Sequence, residues 1–276
     1  MSTSHSSTSP NSRNTLALTL KSLHQPGTPL LLTNIWSALS ATAIAPLPQT
    51  RAMATASAAV ASSYNLTDDD LTLELNLQAV RLIAPIAQAH GKPLTVDFQD
   101  GYGDRLEEGI RELIAAGAVG CNLEDWGREV EGAEGKGGLY EIERACERIR
   151  RVLATAREMG VPDFVVNART DALLAGCSID EAIARGKAYL DAGAHNVFIW
   201  GGSKRGGMSG EEVKKAVEGL DGQLNVSLKL GVEGALSVKE LGEMGVARIS
   251  VGPRLLMRAM EMVSEEVRRL HTEVGV

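Results

Sequence analysis

Residues 106–125 read LEEGIRELIAAGAVGCNLED, and the architecture follows from this stretch. A helix-like segment, Leu106–Ala116, stops at Gly117, the residue type best suited to a left-handed helix C-cap. Ala118 leads into a short apolar run, Gly120–Leu123, and the run ends in two carboxylates, Glu124 and Asp125. Apolar and polar residues do not alternate cleanly in it, as expected of a parallel strand buried on both faces.

The same punctuation recurs at Gly160-Val161, Gly193-Ala194 and Gly245-Val246. Similar runs predict strands at Leu30–Thr33, Ala52–Ala56, Leu94–Phe98, Phe164–Asn167, Asn196–Trp200, Leu224–Ser227 and Arg248–Val251. Helix-like segments lie between them, clearest at Leu71–Ala89, Tyr140–Met159, Ile179–Ala192, Gly210–Glu218, Ser237–Met244 and Arg254–His271. Ser178 and Ser209 open two of these with capping-box patterns. Eight strands with interleaved helices predict an α/β protein, a single-domain (β/α)8 TIM-type barrel over residues 15–276. A doubly wound open sheet is the alternative, disfavoured because no G-x-G-x-x-G follows an early strand. Residues 15–25 read as a short helix stopped by Pro26-Gly27.

Residues 1–14, rich in Ser, Thr and Asn, are expected to be a disordered tail without the apolar stretch of a secretory signal. A cytosolic location is expected; the Ser-rich, acid-free start is the one feature shared with a mitochondrial transit peptide. Hydrophobic residues make up 44% of the 276, enough for a sizeable core, and no apolar run is long enough to span a membrane. A net charge of −7 argues against nucleic-acid partners. It also means that an anionic substrate needs local cations or a metal. Three cysteines without a C-x-x-C pair argue against a disulfide framework or a zinc site.

Active-site groups of such barrels gather at the C-terminal ends of strands. The third strand runs into Asp97-Phe98-Gln99-Asp100-Gly101, the fourth into Glu124-Asp125, and the fifth into Arg169-Thr170-Asp171. Taken singly, the acids could cap turns, and Arg169 could be held by Asp171. Together, two acidic strand ends at one mouth suit a hard cation, Mg2+ or Mn2+, held by few protein oxygens and several waters. Arg169 beside them offers a planar fork to a substrate carboxylate or phosphate.

The strings TVDFQDGYGD, GAVGCNLED, VVNARTDALL and GVARISVGPRLLMRAM resemble the isocitrate lyase/phosphoenolpyruvate mutase superfamily, in order and spacing, from about Leu30 to His271. The resemblance implies a barrel, Mg2+ dependence and a small anionic 2-oxo or enol carboxylate substrate. It also implies a homo-oligomer, with tetramers that exchange the last helix. By position it makes Asp97 the direct metal ligand and Gln99 and Glu124 holders of the metal's water shell. Arg169 would pair with the substrate carboxylate. Ala56, Ser57 and Ala58 would cradle an enolate oxygen with their amide N–H groups, making Ser57 catalytic along with Arg169. Asn225 and Ser227 would contact substrate, and Arg258 would be a second cation.

Departures from the family pattern bear on the reaction. Gln99 stands where an acid is usual. The loop Trp126–Gly138 lacks the K-x-C-G motif whose Cys protonates the leaving group in the C–C lyases, and Trp200-Gly201-Gly202 replaces a Glu of that branch. Carbon–carbon lyase chemistry through an enolate-like intermediate is the leading expectation. Phosphonomutase chemistry and C–C hydrolysis of an oxaloacetate-like acid are alternatives, as is a non-catalytic homologue that binds a carboxylate ligand. His195, before the sixth strand, is expected to be structural, and His24, His90 and His271 to be exposed.

Overall fold

The computed structural model describes residues 10–130, 137–202 and 204–274. A first helix, α1 (Pro10–Leu23), precedes a strand in two pieces, β1 (Leu30–Leu32) and β2 (Asn34–Ile35). There follow α2 (Ala38–Ile44), β3 (Met53–Thr55), α3 (Ser57–Ser63), α4 (Leu73–Ala89), β4 (Leu94–Asp97), α5 (Leu106–Ala116) and β5 (Gly120–Glu124). A small antiparallel hairpin, β6 (Trp126–Gly127) and β7 (Gly138–Leu139), leads to α6 (Ile142–Glu158) and β8 (Val165–Thr170). The chain ends with α7 (Ile179–Asp191), β9 (Asn196–Ile199), α8 (Gly210–Gly219), β10 (Leu224–Ser227), α9 (Val238–Glu243), β11 (Arg248–Ser250) and α10 (Arg254–Val274).

The sheet order is β1-β11-β10-β9-β8-β5-β4-β3-β2, with every pair parallel. Only Thr33 separates β1 from β2, so the split first strand joins the last strand to the second and the sheet curls into a TIM-type barrel. Each predicted strand is present, with ends within a residue or two, except that β8 runs three residues further, to Thr170. Of the expected tail, residues 1–9 lie outside the described residues, whereas residues 10–14 belong to α1. The sequence reading also passed over α2 and α3, both short and rich in Ala and Ser.

Helix α1 packs under the N-terminal end of the barrel, with Ala17 and Leu20 fully buried. His24 follows it and is buried, not exposed as expected: its Nδ1 lies 2.8 Å from the Leu20 carbonyl and its ring meets His195 edge-on at 5.2 Å. Burial, the Arg248 charge and His195 hold the His24 pKa down at about 3. His195 is structural, with Nε2 3.2 Å from the Lys21 carbonyl. At the barrel floor, Gly120 leaves no room for a side chain: a Cβ there would stand 2.8 Å from the Val165 carbonyl and 3.0 Å from Leu20.

Gly120→Ala should therefore push strand β8 or α1 outwards and cost about 1–3 kcal/mol, an overpacking penalty measurable by urea denaturation. Unchanged stability would show that α1 is not seated firmly on the barrel floor.

Candidate active site

The C-terminal mouth opens into a cavity of about 290 Å³ that runs down between the strands. Asp97, Asp68, Arg169, Trp200 and Ser227 line its upper part, and Thr95 and Arg248 lie on strand positions further down. Inward-facing residues recur every second position along a strand. That period brings Asn122 and Glu124, Asn167 and Arg169, and Asn196, Phe198 and Trp200 onto the inner face in register.

Asp97 is held by three donors. Ser57 N–H and Ser57 Oγ–H both donate to Oδ2, at 2.9 and 3.0 Å, and the Asn122 amide donates to Oδ1 at 3.0 Å. Asn122 is itself fixed: Asn196 donates to Asn167 at 3.0 Å, and Asn167 donates to Asn122 at 2.7 Å. Asn167 and Asn196 have no solvent exposure. This chain of amides therefore aims a carboxylate at the cavity from inside the barrel. Lone pairs remain on Asp97, since a carboxylate accepts at about four positions.

Arg169 is anchored on both sides. Its Nη1 donates to Glu124 at 2.6 Å, its Nε donates to Asp171 at 2.9 Å, and its guanidinium carbon lies 4.0 Å from the Trp200 ring centre. The structural pairing with Asp171 and the orientation toward the cavity thus coexist. Burial raises the Glu124 pKa well above the ordinary carboxylate range and that of Asp171 to about 6; Arg169 offsets only part of the effect in each. Two buried acids share one cation, with Asp97 nearby. Burial, and then the Asp97 charge, likewise raise Asp68.

Several expected site residues are placed differently. Gln99 adopts a left-handed backbone, φ 49°. Its Nε2 donates to the Asp68 carbonyl and side chain at 2.7 and 3.0 Å, and its Oε1 accepts from Arg128 at 3.1 Å. It therefore braces Asp68 and is not among the cavity-lining residues. Of the proposed amide cradle, Ser57 N–H goes to Asp97 and Ala56 N–H to the Ile35 carbonyl. Ala58 N–H alone is left, as a first-turn helix N–H. Asn225 is buried against Ser250, bonded at 3.1 Å, below the cavity wall, whereas Ser227 lines it. Arg258 is exposed on α10, outside the lining, because that helix leaves the barrel. Cys121 is fully buried and its thiol pKa is pushed up by burial, so it is a core residue.

Sequence reasoning missed the Asn122–Asn167–Asn196 chain and Arg248. The available signal was a polar residue two positions before each mouth residue. Among the described residues no three His, Cys, Asp or Glu side chains converge on one point as direct metal ligands. The donors fit a hard ion bound through a single carboxylate and water, since they are oxygens and Asp97 keeps free lone pairs.

A family model described as phosphoenolpyruvate phosphomutase matches residues 20–271. A probable 2-methylisocitrate lyase from Corynebacterium glutamicum is 36% identical over 134 residues, 47% of this chain and 42% of that protein. The chain thus spans less than half the length of that curated relative. A phosphonopyruvate hydrolase from a Variovorax species is 26% identical over 79% of this chain and 74% of its own. A Burkholderia cenocepacia crystal structure, assigned provisionally as a phosphonomutase, superimposes with a TM-score of 0.80 at 31% identity, covering 93% of this chain and 99% of that one.

The paired acids give a pH test. Asp171 binds its proton more tightly folded, at about 6, than at its ordinary 3.8. The folded state therefore holds more protons between those values, and this contribution to stability is largest at low pH and lost as pH rises through 6. The melting temperature of the native protein relative to Asp171→Asn should fall from pH 4 to pH 7. A flat difference would mean that Asp171 is ionised throughout.

Proposed function

Since the chain belongs to the isocitrate lyase/phosphoenolpyruvate mutase superfamily, we propose that it is a Mg2+-dependent enzyme acting on a small 2-oxo or enol carboxylate, as a carbon–carbon lyase. The observation that carries this reading is the preorganised Asp97 carboxylate facing the same cavity as Arg169.

Asp97 would hold the ion; Asp68, which lines the same cavity, and Glu124, on which the Asp97 charge acts, would hold its waters. When bound, the ion supplies Lewis-acid polarisation of the substrate's 2-oxo group. The remaining work falls to the chain itself. Arg169, fixed by Glu124, Asp171 and Trp200, receives the substrate carboxylate without reorganising, which lowers the cost of orientation. The Ala58 N–H points a first-turn helix donor at negative charge developing on an enolate oxygen. Phe198 and Trp200 make the wall beside Arg169 apolar and keep water from it. The hairpin β6/β7 joins the two ends of the loop Trp126–Gly138. Its base is pinned where Arg128 Nε donates to both oxygens of Asp100 at 3.0 and 3.1 Å, while residues 131–136 lie outside the described residues.

A homo-oligomer is part of the same proposal. Helix α10 buries none of its residues, yet Met257, Met260, Val263, Val267, Leu270 and Val274 form an exposed stripe at helical spacing. A face of this kind needs a partner, and a second copy of the chain supplies one. Among the described residues no helix is long and apolar enough to cross a membrane.

Two outcomes test these readings. Asp97→Ala should abolish Mg2+ and Mn2+ binding in calorimetry while the circular dichroism spectrum is retained; unchanged affinity would remove Asp97 from the site. Met260→Glu combined with Val267→Glu should shift the protein to a smaller species in sedimentation velocity, and an unaltered sedimentation coefficient would show that α10 is not the interface.

A further inference from the structure

Arg248 opens strand β11 and is only 3% exposed, yet it lines the cavity that holds Asp97 and Arg169. Its Nε and Nη1 are buried and have no hydrogen-bond partner among the described residues. No acid among them lies within ion-pairing distance. The contrast with Arg169 is direct, since that charge is matched by Glu124 and by Asp171. Asp97, the acid whose charge acts on Arg248, has its own oxygens bonded to Ser57 and Asn122. Another buried atom lining the same cavity, Thr95 Oγ1, also lacks a partner. Burial lowers the guanidinium pKa to about 10, so the group stays charged at neutral pH. Below it, His24 and His195 are both held neutral, partly by that charge.

An unmatched buried cation with open donors is strongly unfavourable by itself. It becomes favourable when an anion completes it, because charge-assisted hydrogen bonds in a low-dielectric site are strong. The cavity has room for about ten water molecules at roughly 30 Å³ each, enough for a short acid charged at both ends. We propose that Arg248, with the Thr95 hydroxyl, is a second anion receptor at the cavity floor, so that the substrate is a small dianionic acid held at one end by Arg169 and at the other by Arg248. This rests on the cavity being the substrate site and narrows the substrate class.

The test is calorimetric titration of the full chain with malonate, phosphonoacetate and propanoate in the presence of Mg2+. The tighter of the two dianions identifies the far group as carboxylate or phosphonate. Arg248→Met should weaken that dianion roughly tenfold to a hundredfold while leaving propanoate affinity unchanged. The ligand-free melting temperature should be equal to or above that of the native protein, since an uncompensated charge has been removed. Retained dianion affinity, or equal weakening of propanoate, overturns the assignment. If Arg248→Met does not fold, Arg248→Lys removes the guanidinium donors but keeps the charge. Reduced dianion affinity in that variant supports the proposal, and native affinity overturns it. Turnover is not read, so loss of the Arg248 role leaves the Mg2+-lyase reading standing. Failure of Asp97→Ala to abolish metal binding, in turn, leaves the dianion result intact.

Discussion

A carboxylate on the inner wall of a barrel must be given donors, or burial will protonate it. Asp97 receives three, and the donor on its Oδ1 side is the last link of a chain that begins at Asn196 on β9 and passes through Asn167 and Asn122. Four neighbouring strands are thereby fixed in register by their side chains as well as their backbones. Glu124, Arg169 and Phe198 sit one inward position above this chain and Trp200 two, so the geometry of the mouth depends on it.

Charge within the mouth follows a second constraint. Glu124, Asp171 and Asp68 lie near Arg169 and Asp97, and burial outweighs the attraction of one cation, so these three acids shift upwards. Such a cluster is ready for added positive charge, which a divalent ion on Asp97 would provide. Arg248 is the opposite case, a cation at the floor with no acid bonded to it. Excess acid near the mouth and excess base below suit a ligand that meets a metal at one depth and a bare guanidinium at another.

Part of the site was visible in the sequence because strand ends can be counted. Asp97, Glu124 and Arg169 each terminate an apolar run, and chemistry at that end of a barrel strand needs no further signal. The resemblance gives Gln99 the metal's water shell, but the backbone turns left-handed there and sends its amide to Asp68 and Arg128. The Ser57 amide was expected to face substrate and instead faces Asp97, a partner 40 positions away that no local pattern reveals. Arg258 keeps its place in the motif, but α10 carries it away from the barrel.

The sequence by itself determined the eight strands, their parallel order and the acidic and basic residues at their ends, because burial on both faces and glycine-capped helices leave a local trace in composition. The tertiary structure alone decided which of those groups satisfy one another: Asn196 to Asp97 through two amides, Glu124 and Asp171 to a single arginine, and Arg248 to none among the described residues. Hydrogen-bond satisfaction in a barrel runs across strands, perpendicular to the chain, and barrel closure sets those neighbours at separations in sequence that no periodicity encodes.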